Sequence, residues 1–150
     1  MRLMAGLVLA AALTAAHAAP APDVDQLFRQ FGLFGSWAVD CAAPASPENP
    51  HVSISSPAPG VILQDHDLGA DNTVNRYSIL SAEKLSETRI AVDVLFQPGK
   101  EGEERQRLIW VVRNGTLRTL FNQPQDGPVL VKDGVAVAYG LKTPLLKKCN

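Results

Sequence analysis

The sequence predicts an all-β protein, an antiparallel up-and-down barrel of eight or nine short strands with a short N-terminal helix. Three observations predict this class: apolar and polar residues alternate through much of the second half, two dipeptides suit two-residue hairpins, and no segment between strands is long and periodic enough for a crossover helix. A β-sandwich is the alternative architecture, because the same strands could form two packed sheets. Closure would remove the edge strands that otherwise invite aggregation.

The first eighteen residues have the features of a secretory signal peptide. Arg2 precedes an uncharged apolar run through residues 3–16, and Ala16-His17-Ala18 supplies a small-x-small cleavage site. The run is too short for a bilayer, which takes about 20 apolar residues, and no second run follows. We therefore expect residues 1–18 to be removed and the mature protein to be periplasmic or secreted, without a membrane span.

Export determines how the two cysteines, Cys41 and Cys149, are interpreted. Thiols persist as disulfides in an oxidising compartment, and an even count leaves none over. A catalytic or metal-binding pair would need C-x-x-C-like spacing or a histidine cluster nearby, and the sequence has neither. The sequence thus predicts one disulfide that joins the start of the folded domain to the end of the chain.

The mature chain is predicted to begin with a leader and short helix over residues 19–32, followed by a barrel domain over residues 33–150. Asp23 can cap the helix, with Gln26 three residues on as in a capping box. Apolar residues then recur at helical spacing, and Gly32 supplies a stop. We expect the aromatic face of this helix to pack on the barrel.

The strands of the barrel are predicted from alternation and from the turns between them. Residues 42–50 contain three prolines and are predicted to be a loop, because proline cannot donate to a central sheet ladder. Asn114-Gly115 and Asp133-Gly134 suit type I′ hairpins, which need positive φ at both central residues. The predicted strands are 34–41, 51–55, 60–67, 74–81, 89–96, 104–113, 116–122, 129–131 and 135–139.

The segment Gly35-Ser36-Trp37, on a first strand after a short helix, resembles the G-x-W opening of calycin-like small barrels: lipocalins, avidins and bacterial protease inhibitors. The resemblance implies that Trp37 plugs the closed end of the barrel. It also implies a C-terminal arginine stacked on that ring, for which Arg113 and Arg118 are the candidates. The chain is further similar to small proteobacterial periplasmic proteins, a likeness that assigns no function.

Several function classes lack their sequence signatures. The formal net charge of −1 gives no reason to expect nucleic acid as a partner. A G-x-S-x-G elbow, a P-loop and a dinucleotide fingerprint are absent, so no catalytic residue and no cofactor are predicted. No metal site is predicted either, because the acidic loop at residues 67–72 does not fit the EF-hand pattern. A barrel-based hydrolase would require His51 or His66 to meet acids in a cleft.

Four residues are candidates for ligand binding: Trp37, Arg105, Arg107 and Trp110. Arg105 and Arg107 share one face of a strand and could line a barrel mouth, where they would hold an anionic ligand or a partner carboxylate. The alternatives are exposed surface charges for the arginines and core packing for the tryptophans.

The function predicted from the sequence is an exported, non-enzymatic barrel that binds a small apolar or amphipathic ligand or an envelope protein. An open apolar interior would favour the small molecule. The alternative is a protease-inhibitor-like or envelope interaction module that acts through residues 42–50 or 19–31, and an exposed apolar patch at one rim would favour it.

Overall fold

A computed structural model describes residues 23–149 of the chain. The predicted signal peptide and most of the leader, residues 1–22, lie outside the described residues. The predicted helix is present as α1 (Val24–Gln30), and the Asp23 side chain caps it by accepting a hydrogen bond from the Gln26 amide at 2.7 Å. Gly32 has a φ of +64° just after the helix, a conformation that glycine adopts without strain.

Eight antiparallel strands close into a barrel, as the sequence predicts. The first seven strands pair in chain order, and the last strand lies between the seventh and the first. Since the eight barrel strands leave no open edge, the sandwich alternative is wrong. Three two-residue strands continue the sheet from β7 outside the barrel. The strands are β1 (Gly35–Ala38), β2 (His51–Ala58), β3 (Val61–Asp67), β4 (Asn75–Lys84), β5 (Arg89–Phe96), β6 (Glu104–Arg113), β7 (Thr116–Pro124), β8 (Val131–Lys132), β9 (Val135–Ala136), β10 (Leu141–Lys142) and β11 (Leu146–Cys149).

The first strand is shorter than predicted, because Asn49 holds the chain after Ala38 in a loop. The Asn49 Oδ1 accepts a hydrogen bond from the Asp40 amide at 2.9 Å, and its Nδ2 donates to the carbonyl oxygens of Asp40 and Pro44, at 3.0 Å each. These bonds satisfy the backbone of the proline-rich segment without a sheet ladder. The predicted loop over residues 42–50 is therefore confirmed.

The C-terminal part of the chain differs most from the prediction. The predicted strand over residues 135–139 ends at Ala136, since the Gly140 amide bonds back to the Ala136 carbonyl oxygen at 2.8 Å in a turn. Two strands, β10 and β11, were not predicted. Both predicted hairpin dipeptides are confirmed, with φ of +51° and +70° at Asn114-Gly115 and of +52° and +74° at Asp133-Gly134.

The predicted disulfide is present between Cys41 and Cys149, with their Cα atoms 5.7 Å apart. Cys149 ends β11, where it lies opposite Ser36 of β1. The bridge therefore ties down the strand that closes the barrel.

The helix covers one end of the barrel. The fully buried Phe28 ring packs edge-on against Trp110 at a centroid distance of 6.0 Å, and it contacts the Phe34 ring in a tilted arrangement at 5.8 Å. The helix end also borders a surface groove with the β4–β5 and β6–β7 hairpin turns. The core thus continues from the helix into the barrel. Its buried members are Leu27, Phe28, Leu33, Trp37, Val52, Ile54, Ile62, Ile79, Ile90, Val92, Val94, Leu108, Trp110, Leu117 and Leu146.

Candidate ligand-binding cavity

Strand alternation places polar side chains inside the barrel, away from the helix-covered end. On β3, Ile62 and Gln64 are buried and His66 follows on the same inward face. Tyr77 of β4 lies opposite Gln64, and Val52 of β2 lies opposite His66. The barrel interior therefore changes along its axis from an apolar core to a mixed polar layer.

A cavity of about 160 Å³ lies at this layer. Its wall is apolar on the side of Trp110 and Leu108 and polar on the side of β3. Thr143 and Pro144, from the segment between β10 and β11, also line the cavity. The lining comprises Pro50, Val52, Gln64, His66, Tyr77, Leu108, Trp110, Leu117, Arg118, Thr119, Asn122, Val131, Thr143, Pro144 and Leu146.

The barrel wall next to the cavity is held by side chains rather than by a sheet ladder. β11 pairs with β7 only at Thr116 and Leu117, whereas Asn122 further along β7 pairs with β8. Thr143 crosses the gap: its Oγ1 donates to the Thr119 carbonyl oxygen at 2.7 Å and accepts from Arg118 Nε at 3.2 Å. The gap between β7 and β11 is thus bridged by side-chain hydrogen bonds of Thr143.

Three buried polar atoms at the cavity have no hydrogen-bond partner among the protein atoms of the described chain. They are Gln64 Oε1, His66 Nε2 and Asn122 Oδ1. Gln106 Oε1, at the inward-facing position of β6 next to Leu108, also has no hydrogen-bond partner. Leaving a buried polar atom unpaired costs about 1–3 kcal/mol, and native proteins contain few such atoms. Of the five such atoms in the described residues, three therefore lie at this cavity, whereas Gln106 Oε1 and Gln97 Oε1 do not line it.

Burial keeps the two ionisable rings of the layer uncharged. Burial lowers the pKa of His66 to about 4, against the opposing effect of the neighbouring Asp65 carboxylate. That carboxylate is held on the outside of the barrel by Arg76, with two nitrogen–oxygen distances of 2.7 Å. Burial also raises the pKa of Tyr77 to about 12, and the charge of Glu104 adds to this rise. Both rings are therefore neutral near pH 7, and their centroids lie 5.1 Å apart.

The two candidate tryptophans occupy different parts of the barrel. Trp110 lines the cavity. Trp37 lies at the helix-covered end, where its Nε1 donates to the Leu33 carbonyl oxygen at 2.8 Å. The cation over its ring is Lys148, whose Nζ lies 4.4 Å from the centroid, instead of Arg113 or Arg118. Lys148 was not predicted for this role, because the strand that carries it, β11, was not predicted. Membership of the calycin-like barrels stays a prediction.

Arg105 and Arg107 do not line the cavity, and they lie on the surface, as the alternative of exposed charges expects. The alternation of β6 points Gln106, Leu108 and Trp110 inward, so both arginines lie exposed on the outer face. Arg107 forms ion pairs with Glu83 and Asp93, each at 3.1 Å. The four candidate residues are therefore not brought together, and only Trp110 belongs to the cavity.

The two histidines of the hydrolase alternative have different surroundings. His51 Nε2 lies 2.9 Å from the Ala43 carbonyl oxygen and 3.2 Å from Asn49 Nδ2, which makes it part of the proline-rich loop. His66 Nε2 has no partner among the described residues, acids included. Residues 23–149 also hold no group of three or more side chains suited to a metal ion.

Gln64 and Asn122 are site residues that the sequence reasoning missed. Only His66 of this strand was predicted to carry chemistry, although the inward face of β3 also carries Gln64 behind the apolar Ile62. A polar residue at an inward position of an otherwise apolar strand face was the available signal.

The fold and the cavity define a small closed antiparallel barrel with a partly polar interior. Comparison of the chain with protein-family models, with curated proteins and with solved structures gave no match. Within residues 23–149, the single helix is too short to cross a membrane.

Proposed function

We propose that this protein is an exported, non-enzymatic barrel that binds a small molecule in the cavity beside Trp110. The observation that carries the proposal is the set of unpartnered buried polar atoms, Gln64 Oε1, His66 Nε2 and Asn122 Oδ1, around one cavity. A ligand that pairs with them would recover free energy that the unliganded fold loses. Apolar contact with Trp110 and Leu108 would add the hydrophobic part of the binding free energy.

The cavity volume limits the size of the ligand. Pockets for drug-sized molecules measure about 300 Å³ or more, whereas an engineered cavity of about 150 Å³ binds benzene. At about 160 Å³, the cavity suits a molecule with one ring, or one end of a longer amphipathic molecule. The longer molecule would enter through the gap between β7 and β11.

Export to the periplasm or the medium is part of the same proposal. The signal-peptide features of residues 1–18 support it, and so does the Cys41–Cys149 disulfide, because such bonds persist in oxidising compartments.

A second candidate function, an envelope interaction module, is favoured by one observation. Tyr139, Leu141 and Val137 of the extension outside the barrel are 80%, 67% and 58% exposed. Apolar side chains grouped in this way often mark a contact surface. This surface differs from the two segments that the sequence suggested, residues 42–50 and 19–31. Photo-crosslinking from position 139 in intact cells would trap a partner, and a chain that forms no adduct would remove this candidate.

Mass spectrometry of the protein purified from its own cell envelope tests the proposed function. A bound molecule should add mass in the native spectrum and be lost on denaturation. The variant Leu108→Phe tests whether the molecule lies in this cavity, because it extends a larger side chain from the cavity wall. We expect the variant to fold and to lose the added mass. Equal masses for native and denatured wild type would contradict the proposal.

A further inference from the structure

We infer that the cavity selects an uncharged, ring-sized molecule that donates a hydrogen bond, of which phenol is the simplest example, over an apolar molecule of the same size. The inference rests on the proposed function and names its ligand class.

The unpartnered atoms determine this preference. Gln64 Oε1 and Asn122 Oδ1 are carbonyl oxygens, which only accept hydrogen bonds. His66 has its pKa lowered to about 4, so its ring is neutral near pH 7, with one nitrogen that accepts a hydrogen bond and one that donates. A ligand hydroxyl or N–H group complements the two amide oxygens, whereas a hydrocarbon leaves both of them unpaired. A site built to bond a polar group rejects the analogue that lacks it for this reason.

The charges at the cavity favour a neutral donor over an ammonium ion. The residues that line the cavity include no carboxylate, so a buried cation would have no counter-charge. The charged residue of the lining, Arg118, donates to Thr143 Oγ1 and to the Gly134 carbonyl oxygen, each at 3.2 Å. These bonds hold the guanidinium in the wall of the barrel.

The size of the cavity makes phenol and toluene suitable probes. They have the same number of heavy atoms and the same shape, and they differ in one hydroxyl group. Anisole serves as a third probe because its oxygen accepts a hydrogen bond and does not donate one. The three probes therefore separate donation from apolar contact and from acceptance.

The test is isothermal titration calorimetry of the full chain, purified after periplasmic expression, with phenol, toluene and anisole at pH 7. We expect phenol to bind at least tenfold more tightly than toluene and anisole. Replacing either carbonyl acceptor, by Asn122→Leu or by Gln64→Leu, should reduce the preference for phenol to threefold or less while toluene binding is kept. The matched control is Gln123→Leu, at a residue of β7 outside the cavity lining. Gln123 lies opposite the outward-facing Arg107 in the strand register, and its side chain donates to the Gly127 carbonyl oxygen at 3.1 Å.

The outcomes separate this inference from the proposed function. If toluene or anisole binds as tightly as phenol, the donor preference is overturned and small-molecule binding stands. If none of the three binds at millimolar concentration, this inference is overturned, whereas the proposed function is overturned only if the native and denatured masses of the wild type are also equal. Two acceptor variants are used because one of them could fail to fold, and thermal unfolding of each variant identifies that case.

Discussion

His66 should make the protein less stable in mild acid. The unfolded chain takes up a proton on this side chain near its ordinary pKa of 6.5, whereas the folded protein does so only near pH 4. Between these values the unfolded state binds more protons, so stability falls as the pH is lowered. The difference of about 2.5 pH units corresponds to roughly 3 kcal/mol lost between pH 7 and pH 4.

Urea unfolding at pH 7 and at pH 4 measures this loss, with His66→Gln as the test variant. Other groups also titrate in this range, so the quantity of interest is the pH-dependent loss in wild type minus the loss in the variant. Tyr77→Phe is the matched control: it alters the ring beside His66 and removes a group whose pKa of about 12 lies outside the range. The control should keep the wild-type pH dependence. Equal losses in wild type and His66→Gln would refute the reasoning that His66 is buried and neutral.

Three further predictions concern the stability of the barrel. The double variant Cys41→Ser with Cys149→Ser should lose about 4 kcal/mol of unfolding free energy in denaturant titration, since the bridge closes a loop between residues 108 positions apart; a loss below 1 kcal/mol would contradict this. Lys148→Met should cost about 1–2 kcal/mol through lost carbonyl and aromatic contacts, whereas the exposed neighbour variant Lys147→Met should stay within about 0.5 kcal/mol. Phe28→Ala should cost about 3–5 kcal/mol and lower the thermal midpoint, because its ring is fully buried between the helix and the barrel; an unchanged midpoint would show that the helix is dispensable.

The parts of the fold that the sequence predicted depend on local signals. Asn114-Gly115 and Asp133-Gly134 define their turns through backbone conformations that few other residues adopt. The apolar alternation in β5 and β6 specifies which side of each strand is buried. Each of these signals acts over a few residues, so it can be recognised in one stretch of sequence.

The closing strand β11 was missed because nothing local distinguishes it. Its sequence, Leu146-Lys147-Lys148-Cys149, carries one buried hydrophobic residue, and the strand is held by β1, β7 and the disulfide. Lys148 faces inward on this strand, where it meets the Trp37 ring and the backbone carbonyls of Gly32 and Phe34. Contacts between residues that are distant in the sequence decide this part of the fold.

The candidate site was only partly predictable for a similar reason. Trp110 was identified as a large aromatic on a strand, but the same alternation that turns it inward turns Arg105 and Arg107 outward. Gln64 and Asn122 lie far apart in the sequence and line one cavity only after β3 and β7 have curved into the closed barrel. The convergence of their unpartnered oxygens is a property of closure.

The central claim, that the cavity beside Trp110 binds a small molecule through the polar layer, is tested most directly by NMR. The two tryptophan indole N–H signals report on the cavity and on the helix-covered end, since Trp110 lines the cavity and Trp37 donates to the Leu33 carbonyl oxygen away from it. On titration with phenol, we expect the Trp110 signal and the side-chain amide signals of Gln64 and Asn122 to shift in a saturable way, with the Trp37 signal unchanged. Shifts confined to Trp37 would contradict the account, and so would the absence of a saturable shift at any of the four groups.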